Sequence, residues 1–175
     1  KCRWIGLLFS SLLFYILTMK SLVVVVLFTT AAIYLGARVI EQFNETFKLK
    51  KKELDRAARK ELKNKTTTKI RYVIAFLCFI NFGILFVTKY FNFFGENINA
   101  LFNALHIPAQ IPFLNIFLPL GISFYTLSAI SYVTDVARGV CKVERNYLRL
   151  LLFLIFFPVI TEGPISRYGQ LGEEL

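Results

Sequence analysis

Long apolar runs separated by short polar or basic stretches are the dominant pattern of this 175-residue sequence. A helix needs about 20 apolar residues to cross the roughly 30 Å hydrocarbon core of a bilayer, so runs near this length predict membrane spans. The predicted spans cover residues 4–19, 22–40, 70–89, 117–136 and 147–160. The pattern therefore predicts an all-α, polytopic transmembrane protein that forms part of a larger helical bundle.

The first two runs follow each other almost without interruption. Lys20 and Ser21 separate an uncharged run from a second run rich in Val, Leu and Ala. A single helix over both runs would be too long for a bilayer, whereas two antiparallel helices joined by a tight turn fit its thickness. Further along, residues 91–116 mix Phe, Asn, Gly and Pro, which predicts an interfacial segment of short amphipathic pieces.

Residues 41–69 differ sharply from the apolar runs on either side. The segment holds ten Lys or Arg residues against five acids, and the positive-inside rule therefore predicts a cytoplasmic linker. Its few apolar residues suit a helix with a weak apolar stripe. Two interpretations stay open: a solvated cytoplasmic helix, or a helix that lies on an anionic leaflet.

The fourth apolar run carries polar side chains at helical spacing. Ser128, Ser131, Tyr132 and Asp135 stand at i, i+3, i+4 and i+7, so they share one face of a helix that Gly139 is predicted to end. Polar groups are costly in lipid and usually face protein or a wet cavity. The face therefore serves either hydrogen bonding between helices of a bundle or the wall of a polar passage.

The turn after the fourth run is basic, and the segment after the fifth run is irregular. Arg138, Lys142 and Arg145 place the turn on the same cytoplasmic side as the linker. Later, Glu162 and Arg167 flank a helix-breaking Gly-Pro step. These two residues either form a buried pair that holds the turn, or Arg167 binds an anion or a lipid headgroup.

Composition narrows the class of protein further. Hydrophobic residues make up 56% of the chain and charged residues 18%, and the formal net charge is +10. A charge of this size is typical of nucleic-acid-binding proteins, but here the positive residues cluster between apolar runs and act first as a topology signal. The three scattered cysteines and the single histidine lack metal-ligand spacing, so no metal site is predicted. His106 has no acid or nucleophile near it in sequence and receives no catalytic role.

Two segments late in the chain resemble a known family. LPLGISFYTLSAISYVTDVARG is followed by FFPVITEGPISRYGQL, and the telling elements are LPLGISFYT, D-V-x-R-G and F-F-P-x-x-x-x-G-P-I-x-R-Y. Together and in this order they closely resemble the membrane-bound O-acyltransferase family. The greatest similarity is to its bacterial branch of alginate O-acetylation and teichoic-acid D-alanyl transfer proteins. The resemblance rests on residues 117–171, and it departs from the family at Leu127-Ser128, where Phe-Gln is frequent, and at Ala137, where an aromatic is common.

The resemblance implies acyl transfer in the cell membrane. A cytoplasmic donor, either acetyl-CoA or an acyl carrier, would supply an acyl group, acetyl before others, to hydroxyls of a cell-surface polysaccharide. D-alanyl transfer to teichoic acid is the alternative within the family. The implied partners are membrane lipid, the acyl donor or carrier protein and the polymer acceptor, with no nucleic acid and no bound cofactor. Pro164, Arg167 and Tyr168 would form a structural corner near the active chamber.

The family's catalytic histidine lies downstream of the G-P-I-x-R-Y segment, and no residue of this chain occupies that position. The resemblance therefore assigns no catalytic residue here, and it implies that the chain is part of a longer protein and inactive alone. Two further classes stay open. A transporter also places polar residues inside its spans but favours internal repeats, which the 175 residues lack. A non-catalytic assembly subunit is the other.

Overall fold

A computed structural model describes residues 3–19, 23–51, 55–113, 121–156 and 168–171. The secondary structure of these residues is helical, with no strand, which confirms the all-α class. The helices are α1 (Arg3–Met19), α2 (Val23–Lys50), α3 (Arg56–Ala104), α4 (Ile122–Arg138), α5 (Tyr147–Ile155) and α6 (Tyr168–Leu171). Helix α2 packs against both α3 and α4, while α5 packs against α1 and α2.

Two of these helices, α2 and α3, are long and apolar enough to cross a membrane. Helix α1 is a shorter apolar helix, and α4 and α5 have 17 and nine residues. Helices occur at positions similar to those of the five predicted spans, but the spans themselves and the polytopic arrangement stay predictions. For the last span, the helix ends at Ile155 and residues 157–160 lie outside the described residues.

The basic segment 41–69, predicted as a linker that suits a helix, contributes to two long helices, and its place on the cytoplasmic side stays a prediction. Residues 41–50 complete α2, and residues 56–69 begin α3. The segment contains no Gly or Pro and is rich in Lys, Glu, Ala and Leu, which favour helix. This composition therefore allows both helices to extend beyond the apolar runs into the basic segment.

The prediction of short amphipathic pieces in residues 91–116 is wrong for most of that range, because α3 continues to Ala104. The chain then turns back. The amide of Asn99 donates to the carbonyl oxygen of Ile111 at 2.9 Å, and the Ile111 N–H donates to Asn99 Oδ1 at 2.7 Å. Gly95 lies beneath the returning segment, where an added Cβ would be 3.4 Å from Ile111 Cγ2. Residues 114–116 lie outside the described residues.

Helix α4 ends as the sequence predicts. Gly139 adopts the left-handed conformation with φ 73°, its N–H donates to the Val136 carbonyl, and the Val140 N–H donates to the Asp135 carbonyl. A glycine tolerates this positive φ without the steric cost of a Cβ. The start differs from the predicted residue 117: the helix begins at Ile122, and residues 114–120 lie outside the described residues.

A single glycine sets the closest approach between α2 and α3. Gly36 is buried, and a Cβ at this position would lie 2.4 Å from Leu77 Cδ1. Small residues allow helices to approach closely when lipid rather than water surrounds them. The α2–α3 packing therefore depends on the absence of a side chain at Gly36.

Candidate functional site

The polar face of α4 turns into the protein rather than outward. Ser128 is 4% exposed, Tyr132 is fully buried, Asp135 is 8% exposed, and Ser131 is half-buried. Their shared face, predicted from the i, i+3, i+4 and i+7 spacing, is thus present in the helix. This face is the first part of the candidate site.

Tyr125 fastens α4 to α2 at the start of the same face. Its hydroxyl lies 2.6 Å from Thr29 Oγ1 and 3.1 Å from Thr30 Oγ1, and both threonines are buried. Both threonine hydroxyls also lie within hydrogen-bond distance of the Val26 carbonyl oxygen. Hydrogen bonding between helices therefore accounts for the polar residues at this level of the bundle.

A second set of contacts joins the α4–α5 turn to the end of the polar face. The Glu144 N–H donates to the Tyr132 hydroxyl at 2.9 Å, and the Tyr168 hydroxyl donates to Glu144 Oε2 at 2.5 Å. The Asn146 N–H donates to the other carboxylate oxygen at 2.7 Å. We call Tyr132, Glu144 and Tyr168 the Glu144 cluster.

The rings of the Glu144 cluster are packed as well as hydrogen-bonded. The Tyr168 ring lies edge to face against Tyr132, with centroids 4.9 Å apart, and against Phe153 at 5.1 Å. Burial, and then the hydrogen bond to Glu144, raise the pKa of Tyr168 above its ordinary value. Its hydroxyl therefore stays protonated and remains a donor to the carboxylate at every physiological pH.

Two further tyrosines hold the same turn against α2. The Tyr34 hydroxyl donates to the Arg145 carbonyl at 2.9 Å, and the Tyr147 hydroxyl donates to the Leu27 carbonyl at 3.0 Å. Their rings meet edge to face at 5.9 Å. Asn146 caps α5, since its side chain accepts from the Leu148 N–H at 3.0 Å. Hydrogen bonds with α2, and between Asn146 and the start of α5, thus hold the turn between α4 and α5 in place.

A cavity of about 640 Å³ opens beside the Glu144 cluster, between the end of α2 and the α4–α5 turn. Its charged lining is balanced, so we call it the mixed cavity. The acids are Glu41, Glu45 and Glu144, and the bases are Lys48, Lys142 and Arg145.

The four residues of the predicted polar face differ in their hydrogen-bond partners. The Tyr132 hydroxyl accepts a hydrogen bond from the backbone of the α4–α5 turn. For this residue, the contact agrees with the helix-packing interpretation. Ser128, Ser131 and Asp135 make no side-chain hydrogen bond to another residue of the described ranges. Inward-facing polar groups of this kind are what the passage interpretation requires.

Of the predicted corner, only Tyr168 lies within the described residues, where it is buried at the Glu144 cluster. Glu162, Pro164 and Arg167 lie outside them, so the predicted Glu162–Arg167 pair and the anion site stay predictions. Sequence reasoning missed Glu144. The available signal was its position as an acid in a basic turn, two residues before Asn146 and the apolar run of α5.

His106 lies far from this site, in line with its lack of sequence partners. It is exposed just beyond the end of α3, with a positive φ of 56°. At 1.5 Å per helical residue, it is roughly 50 Å along the axis from Arg71, in the basic part of the same helix. His106 is therefore not part of the candidate site.

Several curated proteins are similar in sequence to this chain. "Probable alginate O-acetylase AlgI" of Pseudomonas syringae is 35% identical over 104 residues, which are 58% of this chain and 18% of that protein. The protein of the same name from Azotobacter vinelandii is 34% identical over 97 residues, 54% of this chain and 19% of its own. "Teichoic acid D-alanyltransferase" of Bacillus subtilis is 39% identical over 55 residues, 31% of this chain and 14% of its own.

The chain spans about a fifth of the length of the alginate O-acetylases that it matches. No family model matches the chain, and no solved structure matches it. The identities nonetheless agree with the resemblance based on residues 117–171. They show that the chain is similar in sequence to proteins named alginate O-acetylase and teichoic acid D-alanyltransferase, the two groups named in that resemblance.

Proposed function

We propose that this chain contributes to a multi-pass enzyme of the cell membrane that transfers acyl groups, acetyl before others, to hydroxyls of a cell-surface polysaccharide. The observation that carries the proposal is the 35% identity to a probable alginate O-acetylase over more than half of the chain. The inward polar face of α4 supports it, since a reaction within the membrane needs a polar route through apolar helices.

The proposed reaction is an acyl transfer between a donor on the cytoplasmic side and an acceptor hydroxyl. The hydroxyl oxygen attacks the acyl carbonyl carbon, a base accepts the hydroxyl proton, and the bond between the acyl group and its donor breaks. The new ester remains on the polymer, and the donor leaves after taking up the proton that the base removed from the hydroxyl. By the family resemblance, the base is a histidine of the longer protein, downstream of the G-P-I-x-R-Y segment.

The proposed role of the described residues is to shape the passage and its cytoplasmic entrance. Ser128, Ser131 and Asp135 would line the passage along α4. The Glu144 cluster would hold the α4–α5 turn and the mixed cavity in one arrangement, because Tyr132 and Tyr168 bind Glu144 from two different elements. Reacting groups gain most from a scaffold that is already ordered before they bind.

Loss of the gene, followed by complementation with the full-length protein, tests the reaction itself. Acetyl esters on the exopolysaccharide should disappear on deletion and return on complementation. The same cells should keep their D-alanyl esters on teichoic acid. Unchanged acetylation after deletion would contradict the proposal, and loss of neither ester would favour a transporter or assembly subunit.

D-alanyl transfer to teichoic acid is the second candidate function. The 39% identity to the Bacillus subtilis teichoic acid D-alanyltransferase favours it, although over only 55 residues. A carrier protein would then deliver the acyl group. The deletion experiment separates the two candidates, because each predicts loss of a different ester.

Asp135→Asn tests the proposed passage. The substitution keeps the shape of the side chain and removes its charge, so we expect acyl transfer in membranes to fall about tenfold at an unchanged protein level. Asp55→Asn is the matched control, because Asp55 is exposed before α3 and its side chain makes no capping hydrogen bond. Equal rates for the two variants would remove Asp135 from the passage.

A further inference from the structure

A second cavity, of about 540 Å³, lies between α2, α3 and α4 beside the basic segment. It is bounded by the last turns of α2, the early turns of α3 and the last turn of α4. Its charged lining residues are Lys63, Arg71 and Arg138, and no acid lines it. We call it the basic cavity, in contrast to the mixed cavity with its equal number of acids and bases.

The cations of the basic cavity converge because of helix periodicity. Lys63, Thr67 and Arg71 stand at i, i+4 and i+8 on one face of α3, and Arg138 is the last residue of α4. Within the described ranges the ion pairs are Arg38–Glu41 and Lys65–Glu61, so none of the three cations has an acidic partner there. Their charge is therefore available to a ligand.

The rest of the lining combines hydroxyls with an apolar wall. Thr66, Thr67 and Thr134 lie beside the cations, and the wall consists of Phe47, Ile70, Ile74 and Ala137. A ligand that fits this lining has an anionic end and an adjoining apolar part.

The height of the cavity along the helices matters as much as its lining. In α3 the residues before Ile70 are mostly polar and basic, and those after Arg71 are apolar for about five turns. In α2 the change falls between Ile40 and Glu41. The basic cavity thus lies where the apolar part of the bundle gives way to its polar end, which is the level of lipid headgroups.

We propose that the basic cavity binds an anionic phospholipid of the cytoplasmic leaflet. Lys63, Arg71 and Arg138 bind the phosphate, because guanidinium and ammonium groups form charge-assisted hydrogen bonds with phosphate oxygens. The first methylenes of an acyl chain lie against Ile70 and Ile74. The volume falls in the range of small-ligand sites, which accommodates a headgroup. This site is separate from the proposed acyl-transfer passage and does not depend on that function.

Lipid binding to the purified full-length protein tests the proposal. The protein is delipidated in detergent and titrated with phosphatidylglycerol or with phosphatidylcholine, and the bound lipid is counted by native mass spectrometry. Phosphatidylglycerol should bind more tightly than phosphatidylcholine. Each of the single substitutions Lys63→Gln, Arg71→Gln and Arg138→Gln should weaken the binding of phosphatidylglycerol about fivefold. The triple variant should bind this lipid about one hundredfold more weakly than the wild type.

The mixed cavity supplies the matched control. Lys48→Gln, Lys142→Gln and Arg145→Gln together remove the same charge from the same end of the protein and should leave phosphatidylglycerol binding within about twofold. Equal loss in both triple variants would show general surface attraction and would overturn the site. Equal binding of phosphatidylcholine would also overturn it, as would displacement of the lipid by millimolar inorganic phosphate. If the triple variant does not fold, phosphatidylglycerol binding to the three single variants, each at an exposed position, tests the site.

Discussion

Helices α5 and α3 are both strongly apolar, but they bury their side chains very differently. Every residue from Leu150 to Ile155 of α5 is buried. In the most apolar stretch of α3 only 17% of the residues are buried, and large side chains such as Phe79, Phe86 and Phe93 are exposed. The hydrophobicity of a helix therefore indicates that the helix can lie in apolar surroundings. How much of its surface contacts protein depends on the helices that pack against it.

The polar residues of α3 and α4 differ in their hydrogen-bond partners. On α4, Tyr125 and Tyr132 bond to α2 and to the α4–α5 turn. On α3, Asn81 and Thr88 donate to carbonyls one turn earlier in their own helix. Asn81 is itself buried, and its Oδ1 has no hydrogen-bond partner within the described residues, so the two helices differ here in the partners of their polar side chains and not in the exposure of those side chains.

Shortening one apolar side chain in each helix should give the largest contrast. Leu152 is fully buried, so Leu152→Ala should lower the free energy of unfolding by about 2–5 kcal/mol through lost contacts and a cavity. Phe79→Ala removes a side chain that is 78% exposed and should cost less than about 0.5 kcal/mol. Denaturant unfolding in detergent micelles measures both, and similar costs would mean that α3 is enclosed too.

The close approach of α2 and α3 at Gly36 should give the next largest effect. Gly36→Leu forces Leu77 to move and should cost about 1–3 kcal/mol, with partial recovery when Leu77→Ala is added. Gly83→Leu is the matched control in α3, because an added Cβ there meets nothing within 4 Å. Thermal melts of the wild type and the three variants test this, and no recovery in the double variant would contradict it.

Removing the hydroxyl of Tyr125 should have a smaller effect. Tyr125→Phe deletes the hydrogen bonds to Thr29 and Thr30 and leaves two buried threonine hydroxyls bonded only to their own helix, at a cost of about 0.5–1.5 kcal/mol. Tyr90→Phe, at an exposed position of α3, should change nothing measurable. Chemical unfolding of both variants checks the difference.

The exposed start of α3 should respond least. The hydrogen bond to Lys65 lowers the pKa of Glu61 below its ordinary value of 4.5. Its stabilising contribution is therefore present above that value and is lost as pH falls through the lowered pKa. Because the pair is fully exposed, Glu61→Gln should leave the melting temperature at pH 7 unchanged within error. Any difference from wild type in helical circular dichroism should occur only where Glu61 is ionised and should vanish below its lowered pKa, because protonated Glu61 is uncharged like Gln.

The sequence predicts the polar face of α4 and the residue at which the helix stops. It does not predict the contacts that hold this end of α4 against the following turn. Spacing places Ser128, Ser131, Tyr132 and Asp135 on one face, and glycine chemistry places the stop at Gly139, because both are local properties of the chain. The partner of Tyr132 is Glu144, from the next turn, and that pairing depends on how α5 folds back. No local rule contains that information.

Helix boundaries are predicted less well than helix positions. The change from apolar to basic residues near Glu41 and near Ile70 predicts a boundary, yet α2 and α3 continue through it. A change of surroundings along a helix alters which face is solvated and leaves the backbone hydrogen bonds intact. Capping residues and helix breakers end helices, and residues 41–69 contain neither Gly nor Pro at these two changes of polarity.

The length of α3 has a mechanical consequence. Its 49 residues extend over about 70 Å, more than twice the roughly 30 Å core of a bilayer, without a proline to interrupt them. A straight helix of this length acts as a stiff rod. A tilt of a few degrees about its centre displaces its two ends by several ångströms in opposite directions. Changes at the basic start of α3 and at its Ala104 end are thereby linked through a single element.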